Sequence, residues 1–182
     1  MEEWIAFGDL LIAYTGSSTY VSVPRDMGPM RLTGIGPYAL SPLASGISPE
    51  QRETRNGIKS VKIPGGITYI GVDAFACCQE LWEVFLPEGL EVIESGAFAL
   101  CSALEAIRIP KSVKMLHFES FLGCDSLRRL IIEGPETELD DMIQKSENTF
   151  RRIILNHAAV IAPNGSKAEL FCRRRGIDFI GF

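Results

Sequence analysis

Between residues 58 and 156 the apolar positions return at a fixed interval. Residues 58–64 (IKSVKIP) are followed by 81–87 (LWEVFLP), 104–110 (LEAIRIP), 127–133 (LRRLIIE) and 150–156 (FRRIILN), each starting 23 residues after the one before. A constant short period of this kind is the signature of a solenoid, in which each repeat buries its apolar face against its neighbours. Alternate residues of a strand share a face, so the leading Leu or Ile and the V-x-I pair point inward. The pattern predicts strands at 61–63, 84–86, 107–109, 130–132 and 153–155, paired in parallel and in chain order. The proline that follows three of them ends pairing, having no N–H to donate. Further along each unit come Ile70, Ile93 or Leu116, then Ala74-Phe75, Ala97-Phe98 or Ser120-Phe121. The core is expected as ladders, among them Val61/Val84/Ile107/Leu130/Ile153 and Phe75/Phe98/Phe121.

The ends depart from this rhythm. Residues 9–24 read as a hairpin turning at Thr15–Ser18, with Val21 and Val23 before Pro24 as the first repeat strand. A 12-residue insertion, about 46–57, separates the first unit from the regular ones. It holds a capping serine (Ser48), Pro49 at the first helical position and Gln51 to close a capping box, so a helix is expected at 49–55. The acidic stretch 136–147 reads as a longer helix, although Leu139 keeps the repeat register. Near the end, Ser166 and Glu169 form a second box opening a helix over 167–175. Three arginines suit its C-terminus and Gly176 stops it, before a strand at 177–180.

With 182 residues, 46% hydrophobic and 23% charged, one domain is expected, divided as 1–24 (cap and first strand), 25–57 (irregular first repeat with the insertion), 58–156 (regular repeats) and 157–182 (C-terminal cap). A net charge of −5 speaks against nucleic acid as a partner, and no apolar run reaches membrane-spanning length. Acids at residues 2 and 3, where a secretory leader carries bases, point to a cytoplasmic location, with a surface or secreted one as the alternative. Of five cysteines, Cys78, Cys101 and Cys124 fall at the repeat period and are expected as a buried ladder of reduced thiols. No metal site is expected: there is no C-x-x-C, and His117 is read as a turn residue one place after a core position. No cofactor is expected either. Gly34 to Ala39 imitates a dinucleotide fingerprint, but it is the repeat's own segment, interrupted by Pro37. No nucleophile elbow, zincin or P-loop motif occurs, so no catalytic residue is assigned and the chain is not expected to be an enzyme.

Aligned on their period, the units read L-x-x-V-x-I-P, then I-G/E, A-F and C-x-x-L. This resembles the BspA-like leucine-rich repeats over nearly the whole length. The resemblance implies an α/β fold: a right-handed solenoid with a parallel β-sheet on one face and short helices or turns on the other. It also implies an N-terminal β-hairpin cap and a C-terminal helix–strand cap. For function it implies partner binding. The outward strand positions then become the informative ones. Trp82, Phe85, Arg108, Arg129 and Ile131 should adjoin on the strand face, an aromatic, aliphatic and arginine mixture of the sort that dominates binding energy at interfaces. The expected role is a non-catalytic scaffold for a protein or peptide, flanked by Arg128, Arg151 and Arg152. Self-association through the same face is a second outcome. Cell-envelope or carbohydrate binding, with Trp82 as a stacking platform, is the alternative if the chain is exported.

Overall fold

The computed structural model describes residues 3–140 and 158–182, and in it successive coils contribute strands to two ladders. The chain opens with β1 (Trp4–Phe7) and β2 (Leu10–Tyr14), an antiparallel hairpin that turns through Gly8 at φ 61°. It differs from the expected hairpin across Thr15–Ser18. The next strand, β3 (Tyr20–Ser22), runs in the other ladder, with Val21 opposite Val61 in parallel. The physical reason is that Val21 and Val23 carry the repeat's own inward pair, which matches the following coil, whereas a left-handed glycine stands earlier, at 8. Two short strands, β4 (Asp26–Met27) and β5 (Met30–Arg31), make a minor hairpin before β6 (Gly34–Ile35). Helix α1 (Pro49–Asn56) fills the insertion as expected: Gln51 N–H donates to the Ser48 hydroxyl, and Ser48 N–H to the Gln51 side chain.

The regular coils follow as β7 (Ser60–Lys62), β8 (Tyr69–Ile70), β9 (Glu83–Phe85), β10 (Val92–Ile93), β11 (Ala106–Ile109), β12 (Met115–His117), β13 (Arg129–Ile132) and β14 (Glu138–Asp140). Three corrections to the expected pattern arise here. The side opposite the V-x-I strands is itself a sheet and not only helices and turns, ordered β1-β2-β6-β8-β10-β12-β14, because Ile35, Ile70, Ile93, Leu116 and Leu139 also repeat in register. Residues 138–140 are strand where a helix was expected, since Leu139 pairs beside Leu116; residues 141–147 lie outside the described ones. The expected fifth strand at 153–155, with Arg151 and Arg152, also lies outside them, and the place beside β13 is held by β15 (Ala159–Ala162), with Leu130 opposite Val160. Helix α2 (Lys167–Arg175) has its expected bounds, with Gly176 left-handed at φ 63°, and β16 (Phe179–Gly181) adds the last strand. The Glu169 carboxylate receives the N–H of Gly165, one residue before the cap.

The V-x-I strands and the second ladder enclose one apolar core. Phe75, Phe98 and Phe121 stack through it, with ring centroids 5.1 and 6.0 Å apart and planes within 7° and 5°. Gly36 and Gly71 let the coils close on one another: a Cβ on Gly71 would sit 2.9 Å from the backbone nitrogen of Pro37.

The thiol ladder is present and reduced, and each thiol donates to a carbonyl one coil back. Cys78 Sγ lies 3.5 Å from Leu40 O, Cys101 Sγ 3.3 Å from Phe75 O and Cys124 Sγ 3.1 Å from Phe98 O. Burial pushes the Cys124 and Cys172 thiols up to about 12, and Cys78 and Cys101 upward as well. A thiol is neutral when protonated, so the native state keeps protons that the unfolded chain releases near its ordinary pKa of 9.0. The contribution to stability is therefore complete below about pH 9 and is lost as the pH rises towards about 12. Urea midpoints should fall across that window, less steeply in Cys101→Ala. At neutral pH Cys78, Cys101 and Cys124 should react with a thiol reagent only after unfolding. Fast labelling of all three in native buffer would contradict this.

Candidate partner-binding face

On the V-x-I side the inward residues are held by the core, which leaves the intervening ones facing solvent. Strand register brings Ser22, Lys62 and Phe85 into one outward row, and Arg108, Ile131, Ile161 and Ile180 into its continuation. Between those two groups the ladder is interrupted. The coil at 82–86 is bonded to the one before it, through Trp82 N–H to Lys59 O and Ile63 N–H to Phe85 O. The coil at 105–109 is bonded to the one after it, through Arg128 N–H to Glu105 O and Glu133 N–H to Ile109 O. Among the described residues β9 and β11 share no ladder, although the same coils stay joined through Val92↔Met115 and Ala103 N–H to Gln79 O.

The interruption changes what solvent reaches. Val84 and Leu86, inward by pattern, are only half-buried, whereas their equivalents Val61, Ile63, Ile107 and Ile109 are buried. A recess of about 250 Å³ lies at the junction, walled by Phe85, Leu86, Pro110, Glu88, Arg108 and Glu133. Arg108 crosses it to Glu133, with Nη2–Oε1 at 2.6 Å. Glu133 stands where the three preceding units carry Pro64, Pro87 and Pro110, a substitution visible in the sequence that reading by outward rows passes over. The interruption has no such signal, since both strands carry the motif of their paired neighbours.

Of the expected site residues, the structure gathers Phe85, Arg108 and Ile131 along one line, with Arg108 directly opposite Ile131. Trp82 lies on the coil of Phe85, and Arg129 lies two coils further on, in the row of Ala106 and Ala159. Trp82 is 48% exposed and Phe85 51%. Ile131 is half-buried and Arg129 exposed. Of the expected flanking arginines, Arg128 is tied to its own turn through Asp125 O.

Among the described residues no group of three His, Cys, Asp or Glu side chains could hold a metal ion. His117 ends β12 instead of lying in a turn. It sits between Glu94 and Asp140, its repeat neighbours, with Nε2 3.4 Å from the Glu94 carboxylate and Nδ1 3.7 Å from that of Asp140. The two carboxylates lie at opposite ring nitrogens, so this is a packed polar row on the far sheet. No helix among the described residues is long and apolar enough to cross a membrane.

A family model described as "BspA type Leucine rich repeat region" matches residues 53–159 in six copies. The chain belongs to this family. BspA-type repeats are typically non-enzymatic, and the family suggests a protein-interaction or adhesin-like module. Solved structures agree on the fold. A Treponema pallidum leucine-rich repeat protein (TpLRR) is 22% identical with a TM-score of 0.68, over 84% of this chain and 62% of its own. A leucine-rich repeat protein from Bacteroides capillosus is 28% identical with a TM-score of 0.56, over 73% of this chain and 100% of its own. A leucine-rich cell surface protein from Faecalibacterium prausnitzii is 18% identical with a TM-score of 0.50, over 90% of this chain and 53% of its own. The BspA-type chain thus spans less than two thirds of the T. pallidum protein. No curated protein sequence matches it.

Proposed function

We propose that this chain is a non-catalytic interaction module that binds a protein or peptide on its V-x-I strand face. The observation that supports this best is the exposure of Trp82 and Phe85 beside the recess where β9 and β11 part. Exposed aromatic side chains next to an arginine are the residue types that carry binding energy, provided a partner excludes water from them. Arg108 is already balanced by Glu133. The partner therefore meets a mixed apolar and ionic surface, not a bare cationic one. Arg128 and Arg129 nearby make the association weaken as salt rises, since exposed charges are screened within about 8–10 Å at ordinary ionic strength.

The test is a pull-down with the full chain, comparing wild type, Trp82→Ala/Phe85→Ala and Arg108→Ala. Loss of the captured partner by the double variant, by about thirtyfold or more in affinity, is expected from residues worth about 2 kcal/mol or more. Unchanged capture would remove the site from the strand face. If the captured protein is a second copy of the chain, the face serves self-association.

A cell-envelope or carbohydrate-binding role is the second reading. It is favoured by the exposed indole of Trp82, a surface on which sugars stack, and by the cell surface protein among the solved relatives. Binding to a glycan array that Trp82→Ala abolishes would support it over a protein partner.

A further inference from the structure

The insertion that interrupts the repeats builds a second recess, away from the strand face. It has a volume of about 520 Å³, within the range of about 300–1,000 Å³ typical of ligand pockets. Its wall is Leu43 and Ile47 from the loop before α1, with Asn56 from the helix; Cys77 and Gln79 of the following coil line it from the other side. The recess is preformed. Arg55 fastens α1 to the carbonyls of Tyr14 and Ser41, Arg52 donates to Pro42 O, and the Ser41 hydroxyl donates to Ala76 O. Loop, helix and floor are thus held apart by bonds that involve none of the lining carboxamides.

Those carboxamides are the second observation. Among the described residues, neither the Asn56 nor the Gln79 side chain holds a hydrogen bond. Each offers both an NH2 donor and a carbonyl acceptor, the complement of a peptide group's C=O and N–H. Arg52 and Glu53 both line the recess; Arg52 is engaged with Pro42 O, whereas Glu53 makes no ion pair among the described residues, and Leu43 is 54% exposed.

We propose that this recess docks an extended peptide segment of another protein, seating one aliphatic or aromatic side chain against Leu43 and Ile47. Asn56 and Gln79 read the segment's main chain, and Glu53 favours a Lys or Arg flanking the seated residue. A sugar is a poorer fit because no aromatic ring lines the recess, and a lipid chain would make no use of the two carboxamides. Preorganisation lowers the entropy lost on binding, so a short segment suffices.

Cys77 provides the test. It is half-buried while the other four cysteines are buried, so it can be capped selectively with a bulky maleimide. Burial and the neighbouring Asp73 raise its pKa, so capping is done at mildly alkaline pH. A random heptapeptide display library is selected against the full chain, uncapped and capped. Enrichment on the uncapped chain of peptides sharing an aliphatic or aromatic residue beside a base is expected. Their binding should weaken at least about tenfold on the capped chain and on Asn56→Ala/Gln79→Ala, and stay unchanged on Trp82→Ala/Phe85→Ala. No enrichment, equal binding to the capped chain, or dependence on Trp82 and Phe85 would overturn the proposal. Should capping lower the melting temperature, the Asn56/Gln79 variant alone decides. Because the strand-face variant is a separate arm, failure here leaves the strand-face reading standing or falling by itself.

Discussion

Replacing Phe98 by alanine should lower the stability of the chain by about 3–5 kcal/mol. The ring is fully buried and is the middle member of a stack, parallel to Phe75 on one side and Phe121 on the other. Truncation removes both ring contacts and leaves a void at the centre of the solenoid. The void cannot collapse, because Phe75 N–H is bonded to Ala97 O at 2.8 Å and Phe98 N–H to Ser120 O at 2.9 Å, which hold the coil spacing. A cavity that the surroundings cannot fill lies at the costly end of such substitutions. Phe85→Ala, on the outward face and half-exposed, should cost about 1 kcal/mol or less, since a surface change away from packed features seldom costs more. Urea denaturation of the two variants beside the wild type measures both. Equal losses would mean that the inward and outward assignment is wrong.

The second large effect is expected at Arg55, which is 1% exposed. Its Nε and Nη2 donate to Tyr14 O at 3.0 and 2.7 Å, and Nη1 donates to Ser41 O at 3.0 Å and to Tyr38 O at 3.4 Å. The guanidinium is therefore balanced by carbonyl dipoles, and it ties the N-terminal hairpin, the loop after β6 and α1 into one unit. Desolvation lowers its pKa, but arginine stays protonated in a folded protein. Arg55→Met keeps much of the volume and leaves buried carbonyls unpaired at about 1–3 kcal/mol each, a loss of about 3–5 kcal/mol for the site. Arg55→Lys retains the charge on a single ammonium, which cannot span the same carbonyls as a planar fork, and should fall between the two. Hydrogen exchange of the α1 amides, read with the denaturation midpoint, locates the damage. A methionine variant within about 1 kcal/mol of wild type would show that water satisfies those carbonyls. For the same reason, deleting residues 48–57 would not test them as a docking site, because it would remove Arg55.

Much of this architecture was legible in the chain itself, and the legible parts share a physical cause. Each coil packs only on its neighbours, so a residue's ladder partner lies one period away, and Phe75, Phe98 and Phe121 or Cys78, Cys101 and Cys124 could be placed by position alone. The helices expected at 49–55 and 167–175 were equally readable, the first running one residue further, because caps such as Ser48 with Gln51 and the left-handed Gly176 act within a few residues. Leu139 kept its register and was placed beside Leu116, although the acidic residues around it suggested a helix.

The rest required long-range competition that no local pattern reports. Whether β2 pairs with β1 or β3 depends on which partner also completes a ladder elsewhere, and the repeat claims β3. Val160 stands beside Leu130, in a strand that is paired in turn with β16 and so placed by the C-terminal segment. Trp82, Phe85, Arg108, Arg129 and Ile131 were placed as outward by alternation. The parting of β9 from β11, which exposes Val84 and Leu86 beside them, occurs between two copies of one motif. Nothing in the capping pattern of the insertion singles out Arg55. Only the tertiary structure buries it, because the carbonyls that receive it come from two separate segments of the chain, the end of β2 and the loop after β6, and a charge enters the interior only where such acceptors converge.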